Sequence, residues 1–63
     1  MLIIGYKGNI DWGKVKAALR RCLDMSQQDA TAIMSKVKAG QTIQITDDLV
    51  LREELKDLGV LIR

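Results

Sequence analysis

The sixty-three residues contain no histidine and no proline, and only one cysteine, one tryptophan and one tyrosine. Without histidine the chain lacks the one side chain whose ordinary pKa lies near neutrality, and a cysteine–histidine nucleophile is excluded. Without proline there is no proline-rich linker. A lone Cys22 cannot close an internal disulfide, which points to a reducing, cytoplasmic setting. No apolar run approaches the roughly 18 residues that a membrane span needs, and no secretory leader is visible. Two aromatic rings, Tyr6 and Trp12, are too few for a row of base-stacking platforms. Asp47 and Asp48 are adjacent acids at a helix start, where capping explains them better than metal binding. A non-catalytic protein without metal or cofactor is expected, since a chain this short has little room for an enclosed substrate pocket.

What is present is a charge pattern and a regular alternation of elements. The net charge of +2 hides an asymmetry. Residues 1–40 carry seven bases and three acids, net +4, whereas residues 41–63 carry three bases and five acids, net −2. Such a molecule can steer an acidic partner or a nucleic acid toward its first half.

Leu2-Ile3-Ile4-Gly5-Tyr6 is a short run of strand formers closed by the turn-prone Lys7-Gly8-Asn9. Asp11 can cap a helix beginning near Trp12, in which Val15, Ala18, Leu19, Cys22 and Leu23 recur at helical spacing. Ser26-Gln27-Gln28-Asp29 carries the capping pattern of a second helix, with Met25 placed to pack back on it. Ala30, Ile33, Met34 and Val37 form that helix's apolar stripe, and Gly40 its terminator. Gln41–Thr46 alternates polar and apolar residues as a half-buried strand does. Thr46-Asp47-Asp48 offers caps for a third helix striped by Leu51, Leu55 and Leu58. Gly59 ends that helix, and Val60-Leu61-Ile62 reads as a last strand.

The predicted order is β-α-α-β-α-β, one domain over residues 1–63 without a linker. Three strands with three helices on one face make a two-layer α+β sandwich, with the most apolar strand in the middle and antiparallel to both neighbours. Leu2, Ile4 and Tyr6 are expected to face the helices with Ile43, Ile45, Val60 and Ile62. Ile3, Gly5, Lys7, Thr42, Gln44, Leu61 and Arg63 would then form the open face, with Ile3 and Leu61 as its apolar centre.

The order of elements and the run Leu51-Arg52-Glu53-Glu54-Leu55-Lys56-Asp57-Leu58-Gly59-Val60-Leu61-Ile62 resemble the C-terminal domain of the bacterial ribosomal stalk protein. Val15-Lys16-Ala17-Ala18-Leu19-Arg20 is similar to that family's first helix, and Ala30 with Ile33-Met34 to its second. The resemblance spans most of residues 2–63. It implies an α+β domain that recruits a protein partner through basic residues around the first two helices, as the family recruits translational GTPases. Lys16 and Arg20 are the positions that carry over. The family's Gly-Leu-Gly-Leu-Lys signature is replaced here by Leu23-Asp24-Met25-Ser26-Gln27-Gln28, and two family lysines meet Gln28 and Thr31. The chain is thus expected to be a stand-alone relative, such as a small accessory or modulator protein of bacterial or phage origin.

The expected partner site comprises Lys16 and Arg20, steering an acidic protein surface, with Trp12 and Met25 adding apolar contact. Two other readings stay open. The basic first half could bind nucleic acid, and Gly5-Tyr6-Lys7-Gly8 spells the Gly-x-x-Gly of the KH module, although it follows a strand instead of joining two helices. On a helical wheel from Val15, Lys16 and Arg20 fall at about 100° and 140°, and Lys14 and Arg21 at about 260° and 240°, so the bases form no single stripe. Alternatively, the open sheet face could make a self-associating structural protein. Trp12 reads as a half-buried cover on the core, and Cys22 as a small core hydrophobe.

Overall fold

The computed structural model describes all of Met1–Arg63 and has the predicted order of elements: β1 (Leu2–Tyr6), α1 (Trp12–Leu23), α2 (Gln27–Lys38), β2 (Ile43–Gln44), α3 (Leu49–Leu58) and β3 (Val60–Ile62). It is a compact α+β fold. The sheet order is β2-β1-β3, and β1 is antiparallel to both neighbours. α2 lies against β1 and β2, α3 lies against β3, and α1 packs across both helices. No helix is long and apolar enough to cross a membrane.

Local chemistry sets each helix end. The side chains of Asp11, Ser26 and Asp48 accept hydrogen bonds from the N–H groups of Lys14, Asp29 and Leu51, three residues on in each case. Each bond satisfies a donor that the first helical turn leaves free. α1 ends at Asp24, which takes a left-handed φ of +52°. Asp tolerates that conformation better than most residues with a side chain. Between α2 and β2, Ala39 closes the helix and Gly40 follows at φ +81°.

The core is ten buried apolar residues: Ile3 from β1, Val15, Ala18 and Leu19 from α1, Ala30, Met34 and Val37 from α2, Leu51 and Leu55 from α3, and Val60 from β3. No polar side chain is buried among them. Leu19, Leu51 and Leu55 have no exposed surface at all. α1 thus supplies the wedge that joins two helices which do not approach each other.

The inner face of β1 is the reverse of the one expected. Ile3, placed on the open face by the alternation argument, is 2% exposed, while Leu2 and Ile4, placed inside, are 37% and 42% exposed. Tyr6, also placed inside, pairs with the buried Val60 but sits at the rim and is exposed. The reason is register. Ile3 pairs with Ile43 on one side and Ile62 on the other, and both partners point inward as predicted. Beyond Ile3 the ladder shifts: Gly5 pairs with Leu61, so β1 uses two residues where β3 uses one. This bulge at Ile4-Gly5 turns two consecutive residues outward. Gly5 takes φ +155°, and a Cβ there would only just touch Leu61 Cδ1 at 4.0 Å. The apolar centre of the open face is therefore Leu2, Ile4 and Leu61 in place of Ile3 and Leu61.

β2 is shorter than the alternation predicts. Gln41–Thr46 was expected to form the strand, yet pairing with β1 runs only through Ile43 and Gln44. It is extended by reciprocal bonds between the backbones of Met1 and Ile45, at 2.9 and 3.0 Å.

Gly59 makes the tightest turn, since α3 ends one residue before it and β3 begins one residue after it. Its φ is +98°, and a Cβ placed there would lie 2.9 Å from Ile10 Cδ1 and 2.9 Å from the Lys7 carbonyl oxygen. The Lys7 N–H also donates to the Gly59 carbonyl at 2.8 Å, so the backbone has no freedom to withdraw.

Two outcomes check this packing. Ile3→Asp should abolish the cooperative thermal transition, because it buries an unpaired carboxylate, whereas Ile4→Asp should keep the fold; the reverse ranking would restore the original face assignment. Gly59→Ala should cost about 2 kcal/mol or more, since left-handed strain of ~1–2 kcal/mol is joined by the backbone clash. That loss would lower the melting midpoint by roughly 8 °C or more in circular dichroism, and an unchanged midpoint would disprove the close approach.

Candidate functional site

Every charged residue in α1 is basic: Lys14, Lys16, Arg20 and Arg21. The buried stripe of Val15, Ala18 and Leu19 divides them into two groups. Arg20 and Arg21 occupy the last turn, where positive charge suits the helix dipole.

Lys14 and Arg21 stand on the side of α1 that faces α3. With Ala17, Ala18, Glu54, Asp57 and Leu58 they line a cleft of about 300 Å³. Arg21 forms an ion pair with Glu54, tying the end of α1 to the middle of α3. Arg21 is largely hydrated and Glu54 partly so, at 64% and 35% exposure, so the pair adds little to stability, on the order of 0.2–1 kcal/mol.

Trp12, Lys16 and Arg20 follow one another at i+4 spacing along the α2 side. Trp12 is half-buried against the core. The Tyr6 ring meets it edge-on, with centroids 5.0 Å apart and planes at 81°. Lys38, the last residue of α2, places Nζ 5.1 Å from the centroid of the Trp12 ring. A cation over an indole face at an exposed site contributes about 0.5–1 kcal/mol. The end of α2 is thereby tied to the start of α1.

The result is a surface on which Trp12, Lys16 and Arg20 form a row along α1 and Lys38 lies over the Trp12 ring. None of the three bases forms an ion pair, since the carboxylates within 4.0 Å of a cation are Glu54 with Arg21 and Asp47 with Arg52. Met25 lies at the other end of α1 from Trp12, a helix of twelve residues or about 18 Å. It is half-buried and packed on the core just ahead of the Ser26 cap. The structure therefore brings Trp12, Lys16 and Arg20 into one row and makes Met25 the corner between the two helices.

Lys38 and Tyr6 join this surface in addition to the expected Trp12, Lys16 and Arg20. Their signal was the very short α1–α2 connection, which returns the end of α2 to the start of α1.

Other chemistry-bearing residues have structural duties. Asp48 caps α3, and Asp47 accepts two bonds from Arg52 Nη2 at 3.1 and 3.2 Å. No three Cys, Asp or Glu side chains gather as metal ligands. Cys22 is half-buried against the core. Gly5-Tyr6-Lys7-Gly8 lies at the end of β1 and the turn that follows, so it does not present the helix-flanked loop of a KH module. Comparison with protein-family models, curated proteins and solved structures finds no match to this chain.

Proposed function

We propose that the chain is a non-catalytic protein-interaction module of the cytoplasm that docks an acidic protein surface on its α1–α2 face. The observation that carries this reading is the row of Trp12, Lys16 and Arg20 along α1 with Lys38 over the Trp12 ring, three bases without a carboxylate partner on one face. Unpaired like charges on neighbouring elements repel one another, and an acidic partner relieves that repulsion as it binds. Trp12 supplies the large, rigid apolar contact that interfaces favour at their centre. The resemblance to the ribosomal stalk domain supports the same region, since that family recruits partners there and Lys16 and Arg20 are its matching positions.

Nucleic acid fits this surface less well. Lys38 occupies one face of the Trp12 ring and Tyr6 packs against it edge-on, so a base would have to displace contacts already made before it could stack. Lys14 and Arg21, which a phosphate track would recruit, are turned to the other side of α1.

Lys16→Glu/Arg20→Glu should abolish capture of the partner from host lysate and slow association with it about tenfold or more. Both side chains lie outside the core, so the melting midpoint should move by no more than roughly 2 °C. A large fall in the midpoint would make the two residues structural and sink the interface. Retention of the unaltered protein on heparin, lost steeply as salt rises, would move the assignment to nucleic acid.

A further inference from the structure

The cleft on the other side of α1 has two rungs of opposite charge, and they are unlike. At one end Arg21 and Glu54 are bonded to each other. At the other end stand Lys14, in the first turn of α1, and Asp57, in the last turn of α3. These helix ends are held together because Gly59 packs directly on Ile10. Even so, neither Lys14 nor Asp57 forms an ion pair with any group. Between the rungs the surface is small and apolar, with Ala17 on α1 and Leu58 on α3.

We propose that the open rung binds a small zwitterion with an aliphatic body, an amino acid of the size of valine or leucine. The ligand carboxylate meets Lys14 Nζ, its ammonium group meets the Asp57 carboxylate, and its hydrocarbon lies over Ala17 and Leu58.

Each alternative ligand class leaves a charge unsatisfied. A simple anion attracted by Lys14 would meet Asp57 across the gap, and a simple cation attracted by Asp57 would meet Lys14. A neutral apolar molecule would desolvate both charges without pairing either, which is costly. Only a ligand carrying both signs satisfies the two walls together. The volume of about 300 Å³ is at the small end of ligand sites and suits an occupant of this size class. Both walls are rigid helices whose ends are held together at the Gly59–Ile10 contact, so the backbones that carry the two charges are in place before the ligand arrives. This site lies across α1 from Trp12, Lys16 and Arg20, and does not depend on the function proposed for that face.

The test is an amide-resolved NMR titration of the full chain with L-leucine at low ionic strength. The expected result is saturable shifts centred on Lys14, Ala17, Ala18, Asp57, Leu58 and Gly59. Lys14→Met and Asp57→Asn should each weaken binding about tenfold or more, while Lys16→Glu/Arg20→Glu leaves it unchanged. Isocaproate and isoamylamine, which each keep one of the two charges, should bind about tenfold or more weaker than leucine, a comparison that needs no variant to fold. The proposal is overturned by the absence of saturable shifts up to ~20 mM ligand. It is equally overturned by shifts centred elsewhere, or by a single-charge analogue that binds as tightly as leucine.

Discussion

Between the last turn of α3 and the first residue of β3 stands Gly59 alone, and the remaining elements are arranged around that reversal. With φ at +98°, the chain turns back so sharply that α3 and β3 belong to one rigid corner. Ile10 and the Lys7 carbonyl fill the space where a side chain would be, so the exit from β1 and the entry to α1 are pinned to the same corner. The Lys7–Gly59 backbone bond continues the β1–β3 ladder past its last paired residues. Two segments distant in sequence, the β1–α1 connection and the α3–β3 turn, thus meet at one position without a Cβ. In a chain of this size, which buries only roughly 60% of its unfolded surface, a connection of one residue saves the ordering cost of a loop. It also sets the α1–α3 geometry, because the start of α1 cannot move from the end of α3 without breaking that contact.

The helices were legible in the sequence because their signals are local. Asp11, Ser26 and Asp48 each cap a helix through a bond to a residue three positions on, and the apolar stripes follow the helical period. The inner face of β1 was not legible in the same way. Leu2, Ile3 and Ile4 are all apolar, so alternation alone offers two phases with nothing to choose between them. The choice was made by Ile43 and Ile62, whose inward orientation was read correctly and which pair with Ile3 on both sides. Gly5 held the remaining information, since a glycine inside a strand pattern marks a bulge or a close approach. Reading it as a bulge turns Ile4 and Gly5 outward together and places Ile3 in the core.

A similar distinction governs the candidate site. The wheel of α1 separates Lys16 and Arg20 from Lys14 and Arg21 by geometry that needs no tertiary information. The identity of each group's neighbours could not be read that way. Lys38 reaches Trp12 only because α2 folds back antiparallel to α1, and Arg21 reaches Glu54 only because α3 lies along the other side. Lys38, Tyr6, Glu54 and Asp57 entered the account from packing and not from pattern. Met25 shows the converse: its place ahead of the Ser26 cap was a local signal, and the structure keeps it as a corner residue against the core.

The division of α1 also explains how so small a domain can carry two different surfaces. Ten buried residues make one core, and α1 contributes three of them, Val15, Ala18 and Leu19, from a narrow stripe flanked by bases. A narrow stripe leaves both flanks of the helix in solvent. On the α2 flank the packing partner ends in Lys38, so positive charge accumulates on the face that carries Trp12. On the α3 flank the partner is acidic, so charge is compensated across a gap that Ala17 and Ala18 are too small to fill. The same four bases therefore produce an unbalanced surface on one side and a balanced cleft on the other. The difference arises from which helix each flank meets, and the single-residue reversal at Gly59 determines that α3 is the one that meets the second.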